Sequence, residues 1–73
     1  MKFVTKMGEF KKYIGKIVHY YFQAEKRHYT FLILGYSIDD DYVLINNNWI
    51  PSGFLIYNHK LDCYSLENYD LII

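Results

Sequence analysis

The aromatic residues of this chain, nine Tyr, five Phe and Trp49 among 73 residues, fall mostly in short runs that predict β-strands. Side chains alternate between the two faces of a strand, and in these runs both alternating sets are apolar or aromatic. A domain of this length buries only about 60% of the surface of its unfolded chain. One face must therefore meet something other than the chain's own core, which indicates an interaction module.

The aromatic load has two interpretations, and they do not exclude each other. Large rings bury about 150–250 Å² each, so they stabilise a small core. Alternatively, the chain gains stability from a partner or from a second copy of itself. In either case the length predicts a single domain over residues 1–73.

Apolar and β-branched runs recur along the chain with turn residues between them. They predict strands at residues 16–23, 28–38, 42–45, 54–57 and 61–65, followed by a closing turn and a tail strand in 66–73. Gly35 predicts a bend in the longest strand. Short strands at this spacing indicate an all-β fold, and a small, partly open barrel hides edges that a flat sheet would expose.

Turn signals divide the strands and precede the first of them. Residues 9–14 place their apolar side chains on one face of a short helical turn, and Gly15 is suited to end it. Asp39, Asp40 and Asp41 predict a solvated turn. The asparagines at 46–48 tolerate a positive φ and predict another turn, which leaves Trp49 in a loop that leads to Pro51.

Three segments resemble known small barrels. Residues 34–46 (LGYSIDDDYVLIN) resemble the first Sm motif, in which an apolar strand passes a glycine, reaches an aspartate turn and returns near an asparagine. Residues 50–54 (IPSGF) resemble the proline-containing turn of signalling SH3 domains, and residues 65–73 resemble their closing turn and strand. The resemblance implies a mainly β fold, a partly open five-stranded SH3-like barrel with one short N-terminal helical turn. Tyr42 or Val43 stands where the Sm pattern has its RNA-holding asparagine, so only the barrel shape is implied and no binding residue.

Charge is balanced overall but divided along the chain. Residues 1–30 carry seven basic and two acidic groups, a net charge of +5, and residues 31–73 carry Lys60 and six acidic groups, a net charge of −5. Such asymmetry produces a basic end and an acidic end, or the two halves fold over one another and cancel. A net charge of zero disfavours sequence-independent binding to duplex DNA, which depends on neutralising phosphates.

No motif predicts chemistry. Cys63 is the single cysteine, so we expect a small buried hydrophobic residue and no internal disulfide. The spacing of His19, His28 and His59 fits no zinc signature. We expect no catalytic residue, no metal and no cofactor. No signal peptide or membrane span is expected either, which predicts a cytoplasmic protein.

The strand at 16–23 has a more apolar face, formed by Val18, Tyr20 and Phe22, which we expect in the core. His19 and Tyr21 then lie outside. In the next strand we expect Leu32, Leu34 and Tyr36 inside, which places Tyr29 and Phe31 outside beside His19 and Tyr21. The predicted binding residues are His19, Tyr21, Lys26, Arg27, Tyr29, Phe31 and Trp49.

An aromatic platform with basic neighbours suits a protein interface, where Tyr, Trp and Arg are frequent anchors. The neutral net charge favours this function, so we expect a small non-enzymatic protein–protein interaction module, with another protein or a second copy as partner. The composition is associated with low-GC bacteria and their phages, and a phage- or plasmid-type accessory or host-inhibitory role fits it. One alternative is binding of single-stranded RNA or DNA through Tyr20, Tyr21, Tyr29, Lys26 and Arg27. Another is a structural subunit of a larger assembly.

Overall fold

The computed structural model describes residues 11–71, and this part of the chain is mainly β. Its seven strands are β1 (Ile17–Phe22), β2 (Arg27–Leu32), β3 (Gly35–Ser37), β4 (Tyr42–Ile45), β5 (Asn48–Pro51), β6 (Leu55–Asn58) and β7 (Cys63–Leu66). A 3-10 turn, Ser52–Phe54, separates β5 from β6, and residues 11–13 form a helical turn. The predicted mainly β class with a short helical turn is confirmed. Residues 9 and 10 of the predicted turn lie outside the described residues.

Four strands form one sheet in the order β2-β1-β7-β6. β1 pairs antiparallel with β2 across the turn at residues 23–26, and β6 and β7 form an antiparallel hairpin. β1 pairs parallel with β7. Because these two strands lie near opposite ends of the described chain, their pairing joins the two halves of the sequence.

The other three strands form a second, antiparallel sheet in the order β3-β4-β5. The chain changes sheets between Ile33 and Leu34. The Ile33 N–H donates to the Lys16 carbonyl at 3.0 Å, whereas the Leu34 N–H donates to the Leu44 carbonyl at 3.0 Å. The single strand predicted at 28–38 is therefore two strands, one in each sheet, because a continuous apolar pattern does not mark where hydrogen-bond partners change. Within residues 11–71 the two sheets do not close into a barrel.

The turn between β4 and β5 contains two asparagines in the left-handed region. Asn46 has φ 48° and Asn47 has φ 63°, and Ile45 pairs with Asn48 across them. Tight hairpin turns require positive φ at both central residues, which Asn tolerates. The turn therefore ends early, and Trp49 lies in β5 opposite Leu44, so its predicted placement in a loop is wrong.

The last strand begins later than predicted. The Asn58 side-chain carbonyl accepts hydrogen bonds from the N–H groups of Lys60 (3.0 Å) and Leu61 (3.2 Å), and Asp62 has φ 52°. These features extend the turn to residue 62, so β7 begins at Cys63. Residues 67–71 are not in a strand, and 72–73 of the predicted tail lie outside the described residues.

One hydrophobic cluster takes residues from both sheets. Ile33, at the point where the chain changes sheets, is fully buried. The buried members of the cluster are Tyr13, Val18, Tyr20, Ile33, Val43, Ile45, Ile50, Tyr64, Leu66 and Leu71. Three of these are tyrosines, so the first interpretation of the aromatic load, as core for a small domain, accounts for part of it.

The Tyr20 hydroxyl fixes the segment that follows β7. It donates to the Tyr69 carbonyl at 3.0 Å and accepts from the Leu71 N–H at 3.0 Å. Leu71 is buried in the core cluster. The Tyr20 hydroxyl thus attaches a segment without sheet pairing to β1 at two backbone groups.

We predict that Tyr20→Phe destabilises the chain by about 1–3 kcal/mol, because a buried N–H and a carbonyl lose their partner while the ring stays in place. Urea denaturation followed by circular dichroism measures the change. Tyr42→Phe, which removes the hydroxyl from a half-exposed ring, is the control and should change stability by less than about 0.5 kcal/mol. Equal effects of the two substitutions would contradict the role of the Tyr20 hydroxyl.

Candidate interaction surface

One face of the four-stranded sheet points away from the core, and we call it the outer face. The strand register places His19 opposite Thr30 on one side and Ser65 on the other. The same face continues to Ile56, which pairs with Ser65. By the strand register its ten residues are Ile17, His19, Tyr21, His28, Thr30, Leu32, Ile56, Asn58, Cys63 and Ser65.

The outer face is uncharged: it carries no Lys, Arg, Asp or Glu among its ten residues, of which Cys63 alone is buried. Its large side chains are well exposed: Ile17 42%, Tyr21 42%, Leu32 51% and Ile56 52%. The Tyr21 ring lies 4.6 Å from the ring of His28, between centroids. The remaining side chains include hydroxyl, imidazole and amide groups, which hydrogen-bond without a permanent charge.

Two predicted binding residues lie on the opposite face. Tyr29 pairs with Tyr20 and Phe31 pairs with Val18, so both point to the core side of the sheet, where they pack against the core cluster. The prediction that they join His19 and Tyr21 outside is wrong. Burial of Ile33 sets the alternation of this strand, and it follows that Leu32 and Leu34, 51% and 64% exposed, are outside rather than inside.

The β1–β2 turn belongs to the core side as well. Arg27 pairs with Phe22, and its guanidinium lies 5.8 Å from the centre of the Tyr29 ring. The Tyr29 hydroxyl donates to the Glu25 carboxylate at 2.9 Å, and this hydrogen bond is the main reason that the pKa of Tyr29 lies above 10.0. Lys26, exposed at the turn, has φ 52°. The predicted binding residues therefore divide between two faces, and whether either set binds a partner stays a prediction.

Trp49 lies on the second sheet, apart from the outer face. It is 50% exposed and pairs with Leu44, which in turn pairs with Gly35. A Cβ added to Gly35 would lie 3.2 Å from the Trp49 ring and 3.2 Å from the Leu44 Cβ. The Trp49 ring thus covers Gly35, the one residue of the cross-strand set Gly35, Leu44 and Trp49 that has no side chain.

Leu32 and Ile56 are outer-face residues that were not predicted for the site. Leu32 was assigned to the core because both faces of its strand are apolar. Ile56 lies between Leu55 and Tyr57, so its strand also carries apolar residues on both faces, and the sequence offers no signal for the exposed one. Ser65 gives a partial signal, because its small polar side chain indicates which face of β7 is the outer face.

The surface also has two depressions of opposite charge, and the first of them shares Tyr21 with the outer face. A groove of about 590 Å³ runs beside the segment after β7 and contains Glu67 and Asp70. A cleft of about 490 Å³, which we call the lysine cleft, is lined by Lys11, Lys12, Lys16, Tyr57, Asp62 and Tyr64. The groove thus holds two acidic residues and no basic one, and the lysine cleft holds three lysines and one carboxylate.

Asp62 is engaged at both carboxylate oxygens. Lys16 forms a salt bridge with one oxygen, and the Tyr57 hydroxyl donates to the other at 2.6 Å. The hydrogen bond from Lys16, and then the one from Tyr57, hold the pKa of Asp62 below 3.8. The same contact with Asp62 raises the pKa of Tyr57 above 10.0.

Between residues 11 and 71 no three His, Cys, Asp or Glu side chains are grouped as a metal ion would require. Cys63 is 5% exposed, which confirms the predicted buried cysteine. In the same part of the chain no helix has the length and apolar character needed to cross a membrane.

Comparison with known proteins identifies no relative. No protein-family model, no curated protein and no solved structure matches the chain. The functional argument therefore rests on the geometry of the surfaces described above.

We predict that Gly35→Ala displaces the Trp49 ring, because the new methyl group would lie 3.2 Å from it. Trp49 is the single tryptophan, so a shift of its fluorescence emission reports the displacement directly, and we expect a stability loss of about 1 kcal/mol. Gly53→Ala is the control, since no atom lies within 4 Å of the added Cβ. An unshifted emission spectrum for Gly35→Ala would contradict the packing of Trp49 on Gly35.

We predict that part of the acid sensitivity of the fold comes from Asp62. Its pKa is lower in the folded chain, so its contribution is present above about pH 3.8 and is lost as the pH falls through the folded-state pKa. Asp62→Asn should reduce the difference in unfolding free energy between about pH 5 and about pH 3. The control Asp40→Asn, in an exposed turn, should keep the wild-type difference, and an unchanged difference for Asp62→Asn would refute the prediction.

Proposed function

We propose that this protein is a small, non-enzymatic protein-binding module whose binding surface is the outer face. One observation carries the proposal: a sheet face with four apolar side chains 42–52% exposed and no charged residue. Depletion of charged residues and enrichment of aromatic and apolar ones distinguish the centre of a protein interface from the rest of a surface. A solvated sheet face normally alternates toward polar residues instead.

The size of the face limits the affinity. Four strands spaced about 4.8 Å apart, each about 13–20 Å long, give a footprint of roughly 250–400 Å². A standard interface buries about 800 Å² on each partner. We therefore propose a transient complex in the micromolar range, or one in which the partner also contacts residues beyond the outer face.

The chemistry of the face selects the partner. A charged partner surface would lose its hydration there without meeting an opposite charge, which is unfavourable. A neutral, apolar protein surface fits, and a second copy of the same face meets this condition without repulsion between like charges. His19, between Thr30 and Ser65, supplies hydrogen-bonding groups near the middle of the contact.

The likeness to SH3-like and Sm-like barrels stays a proposal about shape alone. The order of the elements along the chain supports it. β1 is followed by the long bent segment that contains β2 and β3, then by the shorter strands β4 and β5, and then by the 3-10 turn. The position of β7 between β1 and β6 departs from a simple series of adjacent strands.

The residues predicted for nucleic-acid contact do not share a surface. Tyr20 is buried, and Tyr21 and Tyr29 lie on opposite faces of the sheet. We therefore do not propose nucleic-acid binding at this position.

We predict that Ile56→Arg weakens partner binding tenfold or more, which is about 1.4 kcal/mol, because it places an unpaired charge within an uncharged contact. The experiment uses wild type, Ile56→Arg and Leu61→Arg as immobilised baits, with captured proteins quantified by mass spectrometry. Sedimentation velocity of each variant over a range of concentrations reports self-association. Leu61, 70% exposed in the β6–β7 turn, provides the same substitution away from the outer face.

Support requires a partner, or a dimer, that wild type and Leu61→Arg form and Ile56→Arg does not. The proposal fails if wild type stays monomeric and every captured protein is retained equally by all three baits. Circular dichroism and urea denaturation confirm that the variants are folded before the comparison is made.

A further inference from the structure

The lysine cleft lies where the start of the described chain meets the β6–β7 hairpin. Lys11 and Lys12 belong to the helical turn, Lys16 precedes β1, and Tyr57 and Tyr64 come from the β6–β7 hairpin. The Tyr64 hydroxyl donates to the Lys12 carbonyl at 2.9 Å and so attaches the helical turn to β7. None of these residues belongs to the outer face, so the cleft is a separate surface.

The cleft is electropositive. Three lysines face one carboxylate, and Lys16 already pairs with that carboxylate. The remaining charge is +2, from Lys11 and Lys12. A low-dielectric wall of aromatic rings strengthens the attraction of such a site for anions.

The Tyr57 ring lines the same cleft as Lys11 and Lys12 and has a fixed orientation. The Tyr57 side chain is 48% exposed, and its ring lies against that of Tyr64 with centroids 5.1 Å apart. Its hydroxyl is held by Asp62 at 2.6 Å. An exposed ring that is held by a neighbouring ring and at its hydroxyl binds a planar ligand at little entropic cost.

We propose that the lysine cleft binds single-stranded nucleic acid, with a base stacked on Tyr57 and the adjoining phosphates contacted by Lys11 and Lys12. Proteins that bind single strands combine a basic groove with aromatic rings on which bases stack. An acidic peptide would satisfy the lysines but would leave the exposed ring unused. The proposal is independent of the outer face and of the protein-binding function proposed for it.

We predict that the wild-type chain binds a fluorescein-labelled oligothymidine of about 12 nucleotides, a length within the span of one small binding module. Fluorescence anisotropy measures binding between about 50 and about 200 mM salt. The double variant Lys11→Gln/Lys12→Gln should bind about tenfold more weakly at low salt. The slope of log K against log salt should fall in magnitude by about 1.4, since each phosphate contact on a single strand contributes about 0.7.

The matched control removes two charges from the β1–β2 turn instead. Lys26→Gln/Arg27→Gln has the same change in net charge and should bind within about twofold of wild type if the cleft is the site. An equal loss in both double variants would show unlocalised electrostatic attraction and would overturn the proposal. Absence of binding by wild type at low salt would also overturn it.

Two substitutions of Tyr57 separate stacking from charge. Tyr57→Leu should weaken binding about 5-fold to 100-fold, the range measured for one stacked base, whereas Tyr57→Phe keeps the ring and should bind within about threefold of wild type. Displacement of the oligothymidine by polyglutamate at equal charge concentration would identify the cleft as a site for acidic peptides and reject nucleic acid. Circular dichroism at each salt concentration verifies that the variants are folded.

Discussion

The parallel pairing of β1 with β7 is the contact on which the other features depend. It places Val18 beside Tyr64 and Tyr20 beside Leu66, all of them in the core cluster. Parallel strands need a long crossover, and here the crossover runs from β2 to β6 and includes the whole second sheet. With this pairing in place, the Tyr20 hydroxyl can hold the segment after β7. The pairing also places the helical turn beside the β6–β7 hairpin, and these two elements line the lysine cleft. Such non-local contacts also slow folding relative to helical domains of the same size.

Because β1 lies between β2 and β7, it is hydrogen-bonded on both edges and determines the character of both faces of its sheet. Its buried side carries Val18 and Tyr20, while Ile17 and Tyr21 on the other side remain 42% exposed. The aromatic residues therefore lie partly in the core and partly on the exposed surface. The charges of the acidic groove and of the lysine cleft lie off the outer face.

The sequence predicted features that depend on neighbouring residues. The local sequence determines three of these features: the bounds of β4, the left-handed conformation of Gly15 (φ 84°) and the turn at Asn46 and Asn47. The inward face of β1 was also correct, because one of its faces is more apolar than the other. The inward face of β2 was not, because Leu32 competes with Ile33 and only burial in the fold decides between them. The β1–β7 pairing, the outer face and the lysine cleft all depend on contacts between residues more than 40 positions apart, which no local pattern encodes.

The central claim is that the free chain presents an uncovered, uncharged sheet face, which the proposed protein binding requires. Methyl NMR spectra with a neutral gadolinium chelate, recorded where the chain sediments as a monomer, test it most directly. We expect the methyl signals of Ile17, Leu32 and Ile56 to be attenuated almost as strongly as those of Leu61, while Ile50, fully buried, keeps its intensity. If the three outer-face residues are protected to the same degree as Ile50, the face is already covered within the monomer and cannot be the free binding surface.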